Sequence, residues 1–282
     1  MTNTTENIIE SGLTLVLGGT GKTGRRVVER LEARDVPVRM GSRSASPAFD
    51  WEDEGTWAPV LRDVEKVYLS YYPDLAAPGA PAAVRAFTGA AVEAGVRHVV
   101  LLSGRGEPEA RECERIVQES GLAWTVVRSS WFAQNFSEDY LLDAVLAGEV
   151  ALPAGDVPEP FIDAGDIADV AAEALTGDGH AGEVYEVTGP RALTFAEAAA
   201  EIGRACGREV AYVRVGAEDY AAALAEQGLP EELIGFLTYL FTTVLDGRNA
   251  RPADGVRRAL GREPRDFAGY ARETAASGIW NP

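Results

Sequence analysis

Residues 13 to 28 read LTLVLGGTGKTGRRVV, and the fold turns on them. Thr14 to Leu17 is a short apolar and β-branched run that leads into Gly18, Gly19, Gly21 and Gly24. Val27, Val28 and Leu31 then share one helical face. Strand, glycine turn and helix, in that order, open a βαβ unit that binds a dinucleotide. Gly18 permits the tight turn, Gly21 lets a pyrophosphate approach the backbone, and Gly24 lets helix and strand pack closely. The pyrophosphate would sit on free N–H groups at the positive end of the helix dipole. Gly21-Lys22-Thr23 does not make a triphosphate loop. Five residues before Gly21 stands Val16, inside the strand, where that motif requires glycine.

The first helix is expected over about residues 22 to 33, and Val36 to Met40 reads as a second strand. Its end offers Arg39, Ser42 and Arg43, with no carboxylate before Asp50. An NAD site places an Asp or Glu here to hold the ribose hydroxyls. Guanidinium forks suit a 2′-phosphate instead, so the residues point to NADP(H); the alternative is that these arginines are solvated loop residues. Asp50-Trp51 ends an expected third strand, where the carboxylate can accept from an adenine amino group and the indole can cover the ring. Further strands are read at 64 to 70, 96 to 102 and 123 to 127, with helices at 81 to 94 and 109 to 119 between them. The strands run into Ser70-Tyr71-Tyr72-Pro73, Ser103-Gly104 and Arg128-Ser129-Ser130-Trp131-Phe132. This alternation predicts an α/β fold, a Rossmann-type doubly wound parallel sheet with helices on both faces. Ligands then lie outside the carboxyl ends of the strands, where all these loop residues fall.

The second half differs in kind. Residues 1–152 are expected to form the dinucleotide-binding domain and 153–282 a smaller, mostly helical substrate region, with about 160–190 returning to the sheet. Asp166 is read as the cap of a helix running to Leu175, and Glu183 to Thr188 as a strand. Helices follow at 194 to 203, 217 to 226 and 231 to 245. The last, EELIGFLTYLFTTVL, is apolar on more than one face, which suits burial or closure over an apolar ligand. Gly261 stops one helix and Pro264 starts another.

Composition sets the class. A formal charge of −18 argues against nucleic acid or an anionic membrane as partner; the expected partner is a small-molecule substrate, apolar or aromatic. Apolar residues at 46% and charged residues at 25% are ordinary for a soluble globular chain. Cys113 and Cys206 lie far apart in helical patterns and read as reduced thiols. No His or Cys spacing suits a metal, and His98 and His180 read as structural. The start, MTNTTENIIESG, is polar and carries no leader, and no 18-residue apolar span follows. The expected location is therefore the cytoplasm.

With the residues laid out this way, the chain resembles the NmrA-like branch of the atypical short-chain dehydrogenase/reductases. The resemblance rests on GGTGKTG at 18–24, DWED at 50–53, LLSGRGE at 101–107 and SGLAWTVVRSSWFAQNF at 120–136. PFIDAGDIADVA at 160–171, YEVTGPRALT at 185–194 and GREPRDFAGYARE at 261–273 extend it over nearly the whole length. Within that branch it looks nearest the ergot-alkaloid-type reductases (agroclavine and festuclavine dehydrogenase-like), with NADPH-quinone reductases and NADP-sensing regulators as neighbours. The resemblance implies NADP(H) held by Gly18, Thr20, Gly21, Lys22, Thr23 and Arg43, with Ser70 and Ser103 lining the cofactor trough.

Two departures carry chemistry. Short-chain dehydrogenases usually place a Tyr-x-x-x-Lys pair after the fifth strand, where tyrosine protonates the developing alkoxide. Here that region reads GRGEPEARECERIVQES, with neither residue. Ser129-Ser130 also replaces the Pro-Gly that often follows the sixth-strand arginine. Without a donor, reduction of a simple ketone faces a barrier higher by several kcal/mol. An iminium needs no proton, and a quinone or enone gives a stabilised anion. The expected activity is NADPH-dependent reduction of such a bulky electrophile, in secondary metabolism, by positioning. Ser103 is the candidate hydrogen-bond donor and Trp131 a positioning residue. Tyr71, Trp131, Phe132, Phe161 and Tyr239 are candidate pocket walls, with core packing as the alternative for each, and Glu114 reads as a helix-surface charge, with proton handling as its alternative. The rival expectations are a redox sensor that binds NADP(H) and signals to a protein partner, and an enzyme running a redox-neutral rearrangement.

Overall fold

The computed structural model describes residues 12–281, so the expectation of a leaderless N-terminus falls outside it. Strand β1 (Leu13–Leu17) leads through the glycine turn into α1 (Gly24–Glu32), which returns the chain to β2 (Val38–Gly41). After a short α2 (Trp57–Leu61) come β3 (Val64–Leu69), α3 (Ala80–Glu93), β4 (His98–Gly104), α4 (Pro108–Gln118) and β5 (Ala123–Ser129). Short helices α5 (Asn135–Glu138) and α6 (Leu142–Ala147) precede β6 (Glu149–Leu152), α7 (Ala164–Thr176) and β7 (Glu183–Val187). The six-stranded sheet has the order β2-β1-β3-β4-β5-β7, and every neighbouring pair is parallel.

Both faces of that sheet are covered, which is why its strands are apolar almost without interruption. Leu15, Leu17, Val67, Leu69, Val99 and Leu101 pack with Val84, Phe87 and Ile116 of α3 and α4. Their neighbours Val16, Tyr68, Val100 and Val127 pack with Val27, Leu31, Ile167 and Ala171 of α1 and α7 on the other face. The period of two is present but carries no polar signal.

The rest of the chain adds α8 (Phe195–Cys206), β8 (Ala211–Arg214), α9 (Ala217–Glu226), α10 (Glu231–Tyr239), α11 (Gly255–Leu260) and α12 (Phe267–Ser277). Strands β6 and β8 pair as a separate two-stranded sheet. A third core gathers Phe136, Phe161, Phe195, Phe241, Tyr270 and Trp280. Trp280 locks the end of the chain under the loop after β5, its indole N–H donating to the Phe136 carbonyl at 2.8 Å. Cys113 and Cys206 are free. Among the described residues no helix is long and apolar enough to cross a membrane.

Four local expectations are corrected. No strand ends at Asp50-Trp51. The segment folds onto itself, with the Asp50 carbonyl accepting from the Trp57 indole at 2.8 Å and only a bridge to Asp53. Asp163, not Asp166, caps α7 and accepts from Gly165 N. Asp166 lies inside the first turn, fully buried, and takes hydrogen bonds from Arg262 and from the Arg265 amide. The helix from Glu231 stops at Tyr239 and widens into a π turn over Leu240–Val244. The last helix starts at Phe267 behind its cap Asp266, three residues after Pro264.

Candidate functional site

The glycine turn lies at the carboxyl end of β1, where the sheet order reverses between β1 and β3. Gly18 has a φ of +65°, open to glycine at no steric cost. Its N–H donates to the Gly41 carbonyl, and its own carbonyl accepts from Gly21 N at 2.8 Å. A Cβ on Gly24 would stand 2.1 Å from the Gly18 carbonyl oxygen, so helix and turn touch through bare backbone. Thr23 at the helix start makes no side-chain cap, and the first turn holds no acidic residue. Among the described residues the amides of Thr20, Lys22 and Thr23 have no hydrogen-bond partner. Such a turn, uncapped and free of acid, fits a pyrophosphate. Ser70, just past β3, lies beside Gly18, 3.7 Å from where a Cβ there would be.

The arginines after α1 divide. Arg39, expected at the cofactor, is turned the other way: its Nη1 donates to the Val60 carbonyl at 2.8 Å and to that of Arg62 at 2.6 Å. It caps the end of α2, and its place as a cofactor ligand is withdrawn. Ser42 lies half-buried past β2 with Arg43 exposed beside it, and among the described residues Arg43 makes no ion pair. Asp50 holds its own turn, accepting from Glu52 N at 3.1 Å. Trp51 is half-buried against Tyr71, with ring centroids 4.9 Å apart, in a cluster with Phe49, Trp57 and Phe87.

Lys22 reaches across the strand ends. Its ammonium donates to Asn135 Oδ1 at 2.8 Å, pairs with Asp139 and lies 5.7 Å from the Phe132 ring centroid. The side chain is thus engaged with the loop after β5, and its amide remains for a phosphate.

Ser103, expected to donate a hydrogen bond to a substrate, has its hydroxyl engaged inside the fold. It is 3% exposed, and its hydroxyl donates to Glu114 Oε1 at 2.7 Å. Glu114 is likewise 3% exposed rather than a surface charge. It is gripped by Arg128 through Nε at 2.8 Å and Nη2 at 2.6 Å, and Arg128 also pairs with Glu186. Burial pushes the Glu114 carboxyl up, against the hydrogen bond from Ser103 and the charge of Arg111. Ser129 and Ser130 face inward too, donating to the carbonyls of Ser103 and Pro160.

The candidate pocket aromatics do not all meet. Phe161 is core, 3% exposed among Phe136, Phe195 and Phe267. Trp131 is half-buried and packs on Phe195 and Phe241, while Tyr239 approaches Glu109 on α4. Tyr71 belongs with Trp51. A polar cleft of about 410 Å³ lies elsewhere, lined by Arg26, Glu138, Asp163, Arg265 and Tyr270.

Three acids escaped the sequence reading. Asp74, after β3, is half-buried, with Oδ1 accepting from Ala76 N at 2.8 Å. Burial raises its pKa, while that amide and the charge of Lys22 lower it. Glu107, after β4, is 9% exposed with one carboxyl oxygen unpartnered. Burial, then the charges of Asp74, Glu109 and Glu114, hold it well above the usual range. Glu159 is 2% exposed, with one oxygen unpartnered, and burial pushes it up to about 8. Glu107 closes the quoted stretch LLSGRGE, but an acidic residue before a helix ordinarily reads as its cap.

Comparison with known proteins agrees with this geometry. Residues 18–178 match the family model for NAD(P)H-binding proteins. The chain is similar to an NAD(P)H azoreductase of Xenophilus azovorans, 35% identical, with 93% of this chain and 98% of that one covered. It is 31% identical to the agroclavine dehydrogenase of Claviceps fusiformis, over 94% of this chain and 98% of that one. The NADPH-dependent quinone oxidoreductase QOR2 of Escherichia coli, solved with NADPH, superimposes with a TM-score of 0.78 at 26% identity. That match covers 93% of this chain and 99% of QOR2.

Proposed function

Since the chain belongs to the NAD(P)H-binding family, as an oxidoreductase of the NmrA-like branch of the atypical short-chain dehydrogenase/reductases, we propose that it reduces a bulky, conjugated small molecule at the expense of NADPH. The observation that carries this reading is the bare-backbone contact of Gly24 with Gly18, which holds unpartnered amides at the start of α1.

The pyrophosphate rests on the amides of Thr20, Lys22 and Thr23, with Gly21 leaving room for it. Arg43 and Ser42 take the 2′-phosphate, Asp50 and Trp51 the adenine side, and Ser70 lines the trough beside Gly18. A bound, reduced nicotinamide supplies a hydride. Trp131 and Phe132 hold the flat acceptor against it with Tyr239 flanking them, while Tyr71 stays beside Trp51 on the adenine side. Aromatic walls suit quinones, enones and cyclic iminium ions alike, the last through the ring faces. That substrate range belongs to secondary metabolism.

The test uses NADPH deuterated on one face, with a quinone, an enone and a cyclic iminium as acceptors. The cofactor should lose deuterium from one face only, with the label found on carbon in an enone or iminium product; a hydroquinone exchanges its O–D with water, so there the recovered cofactor is read. Loss of label from both faces alike would count against the proposal.

A further inference from the structure

Three charged side chains cross the carboxyl edge of the sheet in strand order: Lys22 after β1, Asp74 after β3 and Glu107 after β4. Glu107 is the residue whose geometry has no structural use. It stands at the N-cap of α4 with extended backbone, φ −99° and ψ 115°, yet its side chain caps nothing. A carboxylate there would ordinarily accept from the first helix amides. Instead the carboxyl turns back over Gly104, where a Cβ would lie 2.2 Å from Oε2, so glycine at 104 leaves the space it fills. Glu107 is 9% exposed and Oε2 has no partner, a cost a fold does not meet without return.

We propose that Glu107 is the proton donor of this reductase, standing in for the absent Tyr-x-x-x-Lys pair. The inference rests on the reductase reading above and narrows its substrate to neutral conjugated acceptors, such as quinones or enones. An acceptor that takes up a hydride from the reduced dinucleotide is left with an electron pair on oxygen. The Glu107 O–H bond breaks, its proton bonds that oxygen, and the carboxylate keeps the pair until water reprotonates it. The groups facing Glu107 keep the proton in place. They are the acids Asp74, Glu109 and Glu114 and the phenol of Tyr239, with Lys22 beyond Asp74. Burial and neighbouring negative charge both disfavour the ionised form of Glu107.

The first test needs no cofactor. The infrared difference between the parent and Glu107→Gln at pH 7 should show the loss of one protonated-carboxyl band that shifts in deuterium oxide. The difference cancels the contribution of Glu159. In turnover, Glu107→Gln should slow a quinone or enone by about 10² or more beyond its effect on a cyclic iminium, which needs no proton. No lost band, or equal slowing of both acceptor types, would overturn the assignment. Reduction of none of them by the parent would instead bring down the reductase reading itself.

Discussion

Glu114 on α4 and Arg128 on β5 meet as a two-pronged pair beneath the strand ends, with both carboxylate oxygens held and both side chains nearly dry. Removing one member leaves the other charged and buried. Arg128→Met should cost about 3–5 kcal/mol, read as a lower urea midpoint. Glu114→Leu added to Arg128→Met should restore much of it, since an apolar pair needs no desolvation. A single variant as stable as the parent would show that Arg111 and Ser103 suffice to hold the carboxylate.

The two glycines of the turn should fail differently. Gly24→Ala forces a Cβ to 2.1 Å from a backbone oxygen, so both melting temperature and cofactor affinity should fall. Gly21 is exposed, and its Cβ would meet only the Gly18 carbonyl at 3.2 Å. Gly21→Val should keep the parent melting temperature within a few degrees and lose NADPH binding in calorimetry. Unchanged binding would mean that the pyrophosphate lies elsewhere.

Arg43 and Arg39, four residues apart, should separate affinity from stability. Arg43→Ala should weaken NADPH by about 10-fold to 100-fold, the worth of a charged hydrogen bond, and leave NADH nearly unchanged. Arg39→Ala should lower stability through α2 and leave the NADPH-to-NADH ratio as it was. Equal losses for both dinucleotides in Arg43→Ala would remove the 2′-phosphate assignment.

Glu159 predicts a pH slope. Its folded pKa of about 8 lies above the ordinary 4.5, so the folded chain prefers the protonated form. That preference is fully present below about pH 4.5 and is lost as pH rises through about 8. The loss is on the order of 5 kcal/mol. Glu159→Gln should therefore gain stability over the parent at pH 8 and little at pH 5, in parallel thermal melts. A gain independent of pH would show that the carboxyl is not the source.

The fold was legible because its signals are local. LTLVLGGTGKTG states a strand, a turn and a helix within twelve residues, and the alternation repeats through β5. The missing third strand was not legible, since Asp50 is diverted by the Trp57 indole, a contact that periodicity does not report. The site was legible at its backbone and not at its side chains. Arg39 and Arg43 have the same chemistry, yet the guanidinium of Arg39 is taken up by the carbonyls that end α2 and that of Arg43 is exposed. Ser103 and Glu114 stand eleven residues apart, and only the packing of α4 on β4 turns one toward the other.

One feature of topology bears on how the chain comes to be. Strand β7 joins β5 only after the intervening residues 130–182 have been laid down. During synthesis the open edge of β5 therefore waits, with the backbone of Val126 and Val127 unpaired on that side, until more than fifty further residues have left the ribosome. An unpaired apolar edge is a template for joining other chains. Fragments that end near residue 150 should accordingly clump where the full chain stays dispersed, as light scattering would read.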